Sequence, residues 1–349
     1  MAYYSGLPMP PVGGLPPFFP SVGKYIFVDP ANGSDGNKGD GPGPSKALAT
    51  LYKAHSLATA GKNDVVVLIG DGGTTGTARL SLALAVTVDS TATTGTLTWS
   101  KNATHLVGVG APAYNQRARI APPSGTYTQA TFNSGDFIEV SASGCYFANV
   151  SLFHGFSTGG TSQIALTVSG SRNYFHNVWV GGMGDAASAQ NAASMNLLVE
   201  GSENVFDRCT IGLDTVARTV ANTSLQFSTT SSKRNTFYDC HFPMYPTTLT
   251  TQVFVKVATA THSDRWQRFV RCMFAGSPNV GSATTPAAVA SLVASIGGSI
   301  LFQDCMRVGV TDWASDATGL AQCYVGGWSG GSTNHAGDDV GRGLAAAAS

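Results

Sequence analysis

At 349 residues the chain is long enough for one extended solenoid or two ordinary domains. Charged residues make up only 11% and cancel, 20 Lys+Arg against 20 Asp+Glu, which excludes the basic stripe that a nucleic-acid binder needs. Hydrophobic residues at 43% with 42 glycines predict a sizeable core and many turns rather than long amphipathic helices, and no apolar run approaches the roughly 20 residues of a membrane span.

Residues 1–23, "MAYYSGLPMPPVGGLPPFFPSVG", are Pro-rich and predict an extended arm with no regular element. They have neither a basic n-region nor an uninterrupted apolar stretch, so they do not read as a signal peptide. The expectation is a chain folded in a reducing cytosol, with its six cysteines as thiols. "KYIFVD" (24–29) predicts a strand. "PANGSDGNKGDGPGP" (30–44) is turn-rich, and Ser45 is expected to cap a helix over "KALATLYKAHSLATA", with Leu48, Leu51 and Tyr52 on one face. "DVVVLIG" (64–70), "GTLTWS" (95–100) and "HLVGVG" (105–110) predict further strands.

From residue 141 the chain repeats. "GCYFANVSL", "RNYFHNVWV", "ENVFDRCTI", "RNTFYDCHF", "WQRFVRCMF" and "SILFQDCMR" align on Phe147, Phe175, Phe206, Phe237, Phe269 and Phe302, spaced 28, 31, 31, 32 and 33 residues apart. Three residues after each Phe stands Val150, Val178, Cys209, Cys240, Cys272 or Cys305. Phe points inward, its successor outward. A polar residue (Asn149, Asn177, Arg208, Asp239, Arg271, Asp304) turns a corner, and alternation then resumes. Arg307 breaks the apolar pattern after the last corner. Short alternating runs upstream, "IALTV" (164–168), "NLLVE" (196–200), "LQFS" (225–228) and "VFVKV" (253–257), complete two or three strands per coil of a β-solenoid. The variable length of each coil falls after the post-bend strand, so its loops line one side, the usual place for binding or assembly. The cysteine column reads as small hydrophobes beside the phenylalanines: rungs about 4.8 Å apart with parallel Cβ vectors suit neither a disulfide nor an exposed thiolate. Residues 328–349 read as an irregular tail.

"VDPANGSDGNKGDGPGPSKALATLYKA" resembles the N-terminal capping segment of right-handed parallel β-helix proteins of the pectate-lyase-like superfamily, and "HLVGVGAP" and the F-x-[N/D/R]-[V/C] units resemble its coils. The resemblance covers roughly residues 24–327. It implies an all-β right-handed parallel β-helix with a capping helix: arm 1–23, cap and first coils 24–140, regular coils 141–327, tail 328–349. Within that superfamily the chain is most similar to phage virion structural proteins, head decoration or tailspike type, which are commonly homotrimers. This implies a non-enzymatic, virion-located protein assembled in the host cytoplasm, with a major capsid protein or other virion protein as partner, and no cofactor, membrane or nucleic acid. The alternative it implies is a tailspike-like enzyme that binds or depolymerises a surface polysaccharide, with Trp179, Trp266 and Trp313 available to stack on sugars.

Candidate sites are few. Glycoside hydrolysis needs two carboxylates about 5–9.5 Å apart, whereas Asp207, Asp239, Asp304, Glu139 and Glu200 fall in different columns or coils. Asp338 and Asp339 lie in the tail. Asp29, Asn32, Asp35, Asn37 and Asp40 could offer oxygens to calcium, but their spacing is not that of an EF-hand and reads as an Asx-rich turn. "GVGAPA" (108–113) lacks the helix that a dinucleotide fingerprint requires. His154, His176 and His241 show no metal-ligand spacing. No catalytic, cofactor-binding or metal residue is therefore assigned. Expected partner contacts are Tyr3, Tyr4, Pro8, Pro10, Pro11, Phe18 and Phe19 of the arm and a basic cluster of Arg234, Arg265, Arg268 and Arg271, joined by Arg208, against an acidic surface.

Overall fold

The computed structural model describes residues 3–4, 7–8, 23–70, 97–110, 118–120, 136–154, 163–184, 186–189, 191–247, 251–277, 284–293, 298–314 and 323–326. Three parallel sheets run along the molecule. The first has 10 strands, from Tyr25–Val28 through Asp64–Ile69, Thr104–Val109 and Tyr146–Ala148 to Cys323–Gly326. The second, of 8 strands, takes up the chain after the bend and includes Val150–Phe153, Trp179–Gly181, His241–Pro246 and Met273–Gly276. The third, also of 8, includes Asp136–Val140, Ile164–Val168, Met195–Val199, Thr223–Phe227, Val253–Val257 and Ala288–Leu292. From Thr104 to Ala314 each coil contributes to all three sheets in turn, so the fold is an all-β parallel β-helix, with strands where the sequence pattern places them to within one or two residues.

The coils stack in strict register. Phe147, Phe175, Phe206, Phe237, Phe269 and Phe302 are partners rung by rung. Their rings stack at 4.9, 4.7, 4.6, 4.7 and 5.1 Å between centroids, the offset geometry that aromatic pairs favour. The same column continues backwards as Leu106, Val66 and Ile26 and forwards as Val325. Aliphatic rungs thus bracket an aromatic middle.

Beside it runs a second column that the alignment already contained but apolar patterning does not flag. Asn173, Asn204, Asn235 and Gln267, each two residues before its Phe, are fully or almost fully buried. Asn173 Oδ1 accepts from the Cys145 N–H, Asn204 Oδ1 from Asn173, Asn235 Oδ1 from Asn204 and Gln267 Oε1 from Asn235, at 2.9–3.2 Å. The amide nitrogens donate to backbone carbonyls such as Gly170 O and Gly201 O. A buried corner leaves its peptide groups out of the sheet ladders, and this amide ladder satisfies them. Replacing Asn204 by Leu strands the Asn173 N–H and the Gly170 carbonyl. We expect a loss of about 2–4 kcal/mol in urea unfolding; a loss under about 1 kcal/mol would show that the ladder is dispensable.

Two expectations at the N-terminal end are corrected. The helix runs Leu51–Leu57, capped by Thr50, whose hydroxyl accepts the Lys53 N–H, and not by Ser45. The reason is that Leu48 is used as a strand: it bridges Val28, donating to Phe27 O and accepting from Asp29 N, so the helix starts only afterwards. Leu51 and Ala54 enter the core, whereas Tyr52 is exposed. In the arm, Tyr3–Tyr4 pairs antiparallel with Leu7–Pro8, where no regular element was expected. Pro8 is tolerated because a two-stranded pair is all edge. Pro10, Pro11, Phe18, Phe19 and the tail 328–349 lie outside the described residues.

Candidate functional site

The corner residues after each Phe hold left-handed backbone. Asn149, Asn177, Arg208, Asp239, Arg271 and Asp304 have φ of 54°, 52°, 53°, 50°, 51° and 53°. Asn and Asp adopt this region most readily among residues with a side chain, and arginine does so at some cost. The cost is met by coil-to-coil hydrogen bonds: the Asn149 N–H donates to His176 O, Asn177 to Asp207 O, Arg208 to Tyr238 O and Asp239 to Val270 O. A second left-handed column, not legible in the repeat alignment, precedes the first sheet: Ala103, Arg172, Glu203, Arg234 and Arg265, with Gly144 in the same place.

These columns set charges one coil apart. Arg172 Nε donates to Glu203 Oε2 at 2.7 Å and Arg234 Nη1 to Glu203 Oε1 at 3.0 Å, so one carboxylate staples three coils. Arg271 donates to both oxygens of Asp239, at 2.7 and 2.9 Å, the fork geometry that arginine offers a carboxylate. Arg265 lies 3.8 Å from Asp264, Arg208 4.0 Å from Asp207, and Arg268 donates to Gln303. The expected basic cluster is interleaved with acids. Its arginines are spread over two turn columns and a strand face, and most stand beside acids. Exposed pairs of this kind are screened by water and salt and add little to stability, so they set register.

The thiols Cys209, Cys240 and Cys272 are buried and Cys305 half-buried, all free. Each thiol lies 3.3–3.4 Å from a carbonyl one coil back: Phe175 O, Phe206 O, Phe237 O and Phe269 O in turn. They fill space and donate weakly. Burial raises the Cys240 thiol, and Cys323 is pushed up to about 12 by burial and the nearby Asp312. Neither suits a nucleophile.

One polar constellation on the first sheet's outer face was not assembled from sequence. Tyr174 and His176 stand on one strand and Asp207 on the next. His176 Nδ1 and Asp207 Oδ2 are 2.8 Å apart, and the Tyr174 hydroxyl donates to the same oxygen at 3.0 Å. Tyr146 stacks on Tyr174 at 5.8 Å. Burial would raise the Asp207 carboxyl, but the hydrogen bonds from His176 and Tyr174 outweigh it and hold the group below its ordinary value. Period-2 alternation puts His176 and Asp207 on one face; only the rung-to-rung register makes them neighbours.

Among the described residues no group of three His, Cys, Asp or Glu could hold a metal ion. Asp29 accepts from the Ala31 and Asn32 N–H groups, Asp35 from Ala49, Thr50 and the Thr50 hydroxyl, and Asn37 donates to Pro44 O and Ala47 O. These side chains brace the loop beside the capped helix. Trp313, expected as a sugar platform, is buried against Phe302 at 5.0 Å. Trp179 and Trp266 are half-buried.

No protein-family model matches the chain, and no curated protein sequence matches it. Similar solved structures include the pectin methylesterase PemA from Erwinia chrysanthemi, 16% identical over 84% of this chain and 80% of that one, TM-score 0.44. Pectate lyase Pel9A is 13% identical over 85% and 79%, TM-score 0.43. ORF18 of Geobacillus virus E2 is 14% identical over 81% of this chain and 49% of that chain, TM-score 0.44. At such identities and TM-scores no residue role passes from these proteins to this chain.

Proposed function

We propose that the protein is a non-enzymatic structural component of a phage virion, a capsid decoration or spike protein that assembles as a homotrimer and is anchored by residues 1–23. The observation that carries this reading is the use made of the outward charges. Glu203 and Asp239 are held by arginines of neighbouring coils, which sets the register of the stack and leaves these carboxylates occupied. The Phe and amide columns add a rigid interior. Such a rod suits load-bearing and display. The Pro-rich arm loses little entropy when a partner holds it, and a capsid or other virion protein is the partner proposed. Particles assembled with a 1–23 deletion should lack the protein while its β-rich circular dichroism and melting persist; normal incorporation would sink the anchor.

One observation favours a second reading, a polysaccharide-binding or depolymerising spike. The stacked Tyr146–Tyr174 pair beside His176 and Asp207 sets an aromatic surface next to a carboxylate and an imidazole. In a screen of bacterial capsular polysaccharides the structural reading expects no cleavage, and turnover lost in Asp207→Asn would replace it with this one.

A further inference from the structure

Arg218 is a charged side chain inside the solenoid. It ends the strand Leu213–Arg218, which stays in the second sheet by pairing with His241–Pro246, its register shifting between Leu213 beside Met244 and Arg218 beside Pro246. It is only 1% exposed. Its surroundings follow from the corner where each coil enters the third sheet. One position there is occupied in successive coils by Phe137, Ala165, Asn196, Ser224, Phe254 and Val289, all buried. The pairs Met195↔Thr223 and Leu197↔Leu225 make Asn196 and Ser224 neighbours, and Thr223↔Val253 and Leu225↔Val255 do the same for Ser224 and Phe254. In one coil the Phe254 ring fills the corner, edge-on to Phe274 at 5.8 Å. In the coil before it the small Ser224 leaves that volume to Arg218, whose Nη1 donates to Ser224 Oγ at 3.2 Å.

Among the described residues nothing compensates the charge. Arg218 Nη2 has no hydrogen-bond partner, and one coil back neither amide atom of Asn196 has one. No ion pair joins Arg218 to a carboxylate of the described residues. Burial alone lowers its pKa to about 9, which still leaves it charged at neutral pH. Burying a lone guanidinium is strongly unfavourable, and one neutral hydroxyl does not offset that. Arginine does not escape by losing its proton.

Apart from the Asn196 oxygen, what the corner offers is donors. Arg218 Nη2 and Asn196 Nδ2 are unpartnered, and the Ser224 oxygen already accepts from Arg218, so its own hydrogen is free to be donated. A positive charge with N–H and O–H groups on neighbouring coils of a buried corner selects an anion, and the confinement between stacked coils selects a small one. We infer that Arg218, Asn196 and Ser224 form a buried site for a small monovalent anion of halide size, held between adjacent coils as part of the folded structure. The anion supplies the missing counter-charge, and its loss loosens the coil at the point where Arg218 replaces an aromatic ring.

The test follows thermal unfolding of the full chain while sodium bromide replaces sodium gluconate at constant ionic strength. Melting should rise with the logarithm of bromide concentration above the dissociation constant, reaching a gain of about 3–5 °C at roughly 100 times that constant. Arg218→Met should melt at one temperature across the series. A crystal soaked in bromide should show an anomalous peak within hydrogen-bond reach of Arg218 Nη2, and this decides the matter alone if Arg218→Met does not fold. A wild-type melting temperature indifferent to bromide, a site occupied by water only, or the same bromide response in Arg218→Met would overturn the assignment.

Discussion

Lowering the pH from 7 to 4 should remove several kcal/mol of stability before the carboxylates of the fold are neutralised. Three buried histidines are responsible. Burial, with the Lys101 charge adding to it, lowers His55 from 6.5 to about 4. Burial lowers His105 to about 4 against the opposing pull of Asp64, and His154 to about 3. The neutral rings are built in. His55 Nε2 accepts the Ser100 N–H, and His105 Nδ1 accepts the Tyr146 N–H while its Nε2 faces Asn63 Oδ1. Protonating either acceptor nitrogen breaks its bond. Because the folded values lie below the unfolded one, the stabilisation is complete above pH 6.5. It is lost as pH falls toward about 4, where the unfolded chain binds protons that the folded chain refuses. The slope is about 1.4 kcal/mol per pH unit for each histidine. The carboxyl of Asp64 is held below its ordinary value: burial opposes this, and the Lys24 and Thr59 N–H bonds prevail. Asp207 is depressed likewise, so both contribute only to a later loss, below pH 4. Urea unfolding at pH 7, 6, 5 and 4 reads the slope. Equal stability at pH 7 and pH 4.5 would refute it, and His105→Gln should flatten the curve by one histidine's share.

Replacing Phe237 by Ala should cost about 3–5 kcal/mol. The ring is fully buried, stacked on Phe206 at 4.6 Å and Phe269 at 4.7 Å, and touched from the side by Phe227 and Phe242 at 6.3 and 6.1 Å. Rungs above and below are fixed by parallel strands, so the stack cannot collapse into the space left, and the cavity term is fully felt. Phe237→Leu should cost less, since it refills part of the volume. The denaturation midpoint should fall with an unchanged slope against denaturant. A cost under about 1.5 kcal/mol would mean that neighbouring coils close over the gap, contrary to a rigid stack.

The solenoid itself was legible because its periodicity is local. Phe147 to Phe302 recur every 28–33 residues, and a residue two places on must face the same way in any strand. The corners at Asn149 and Asp239 were legible for the same reason. The buried role of Cys209, Cys240 and Cys272 followed from sharing a column with Val150 and Val178. What sequence alone did not decide depends on which residues of different coils meet. Asn173, Asn204 and Asn235 share the inward parity of the Phe two places on, but as polar residues they have no evident partner until stacking places each amide beside the preceding coil's peptide. Arg234 and Arg271 look like a basic patch until register sets Glu203 and Asp239 against them. Ser45 looks like a helix cap until Leu48 is taken into a strand. Arg218 looks like a surface residue of a loop until the small Ser224 opens the corner that admits it. The one-dimensional pattern determines the direction in which each side chain points; only the lateral pairing of coils, which couples residues about 31 positions apart, determines what it points at.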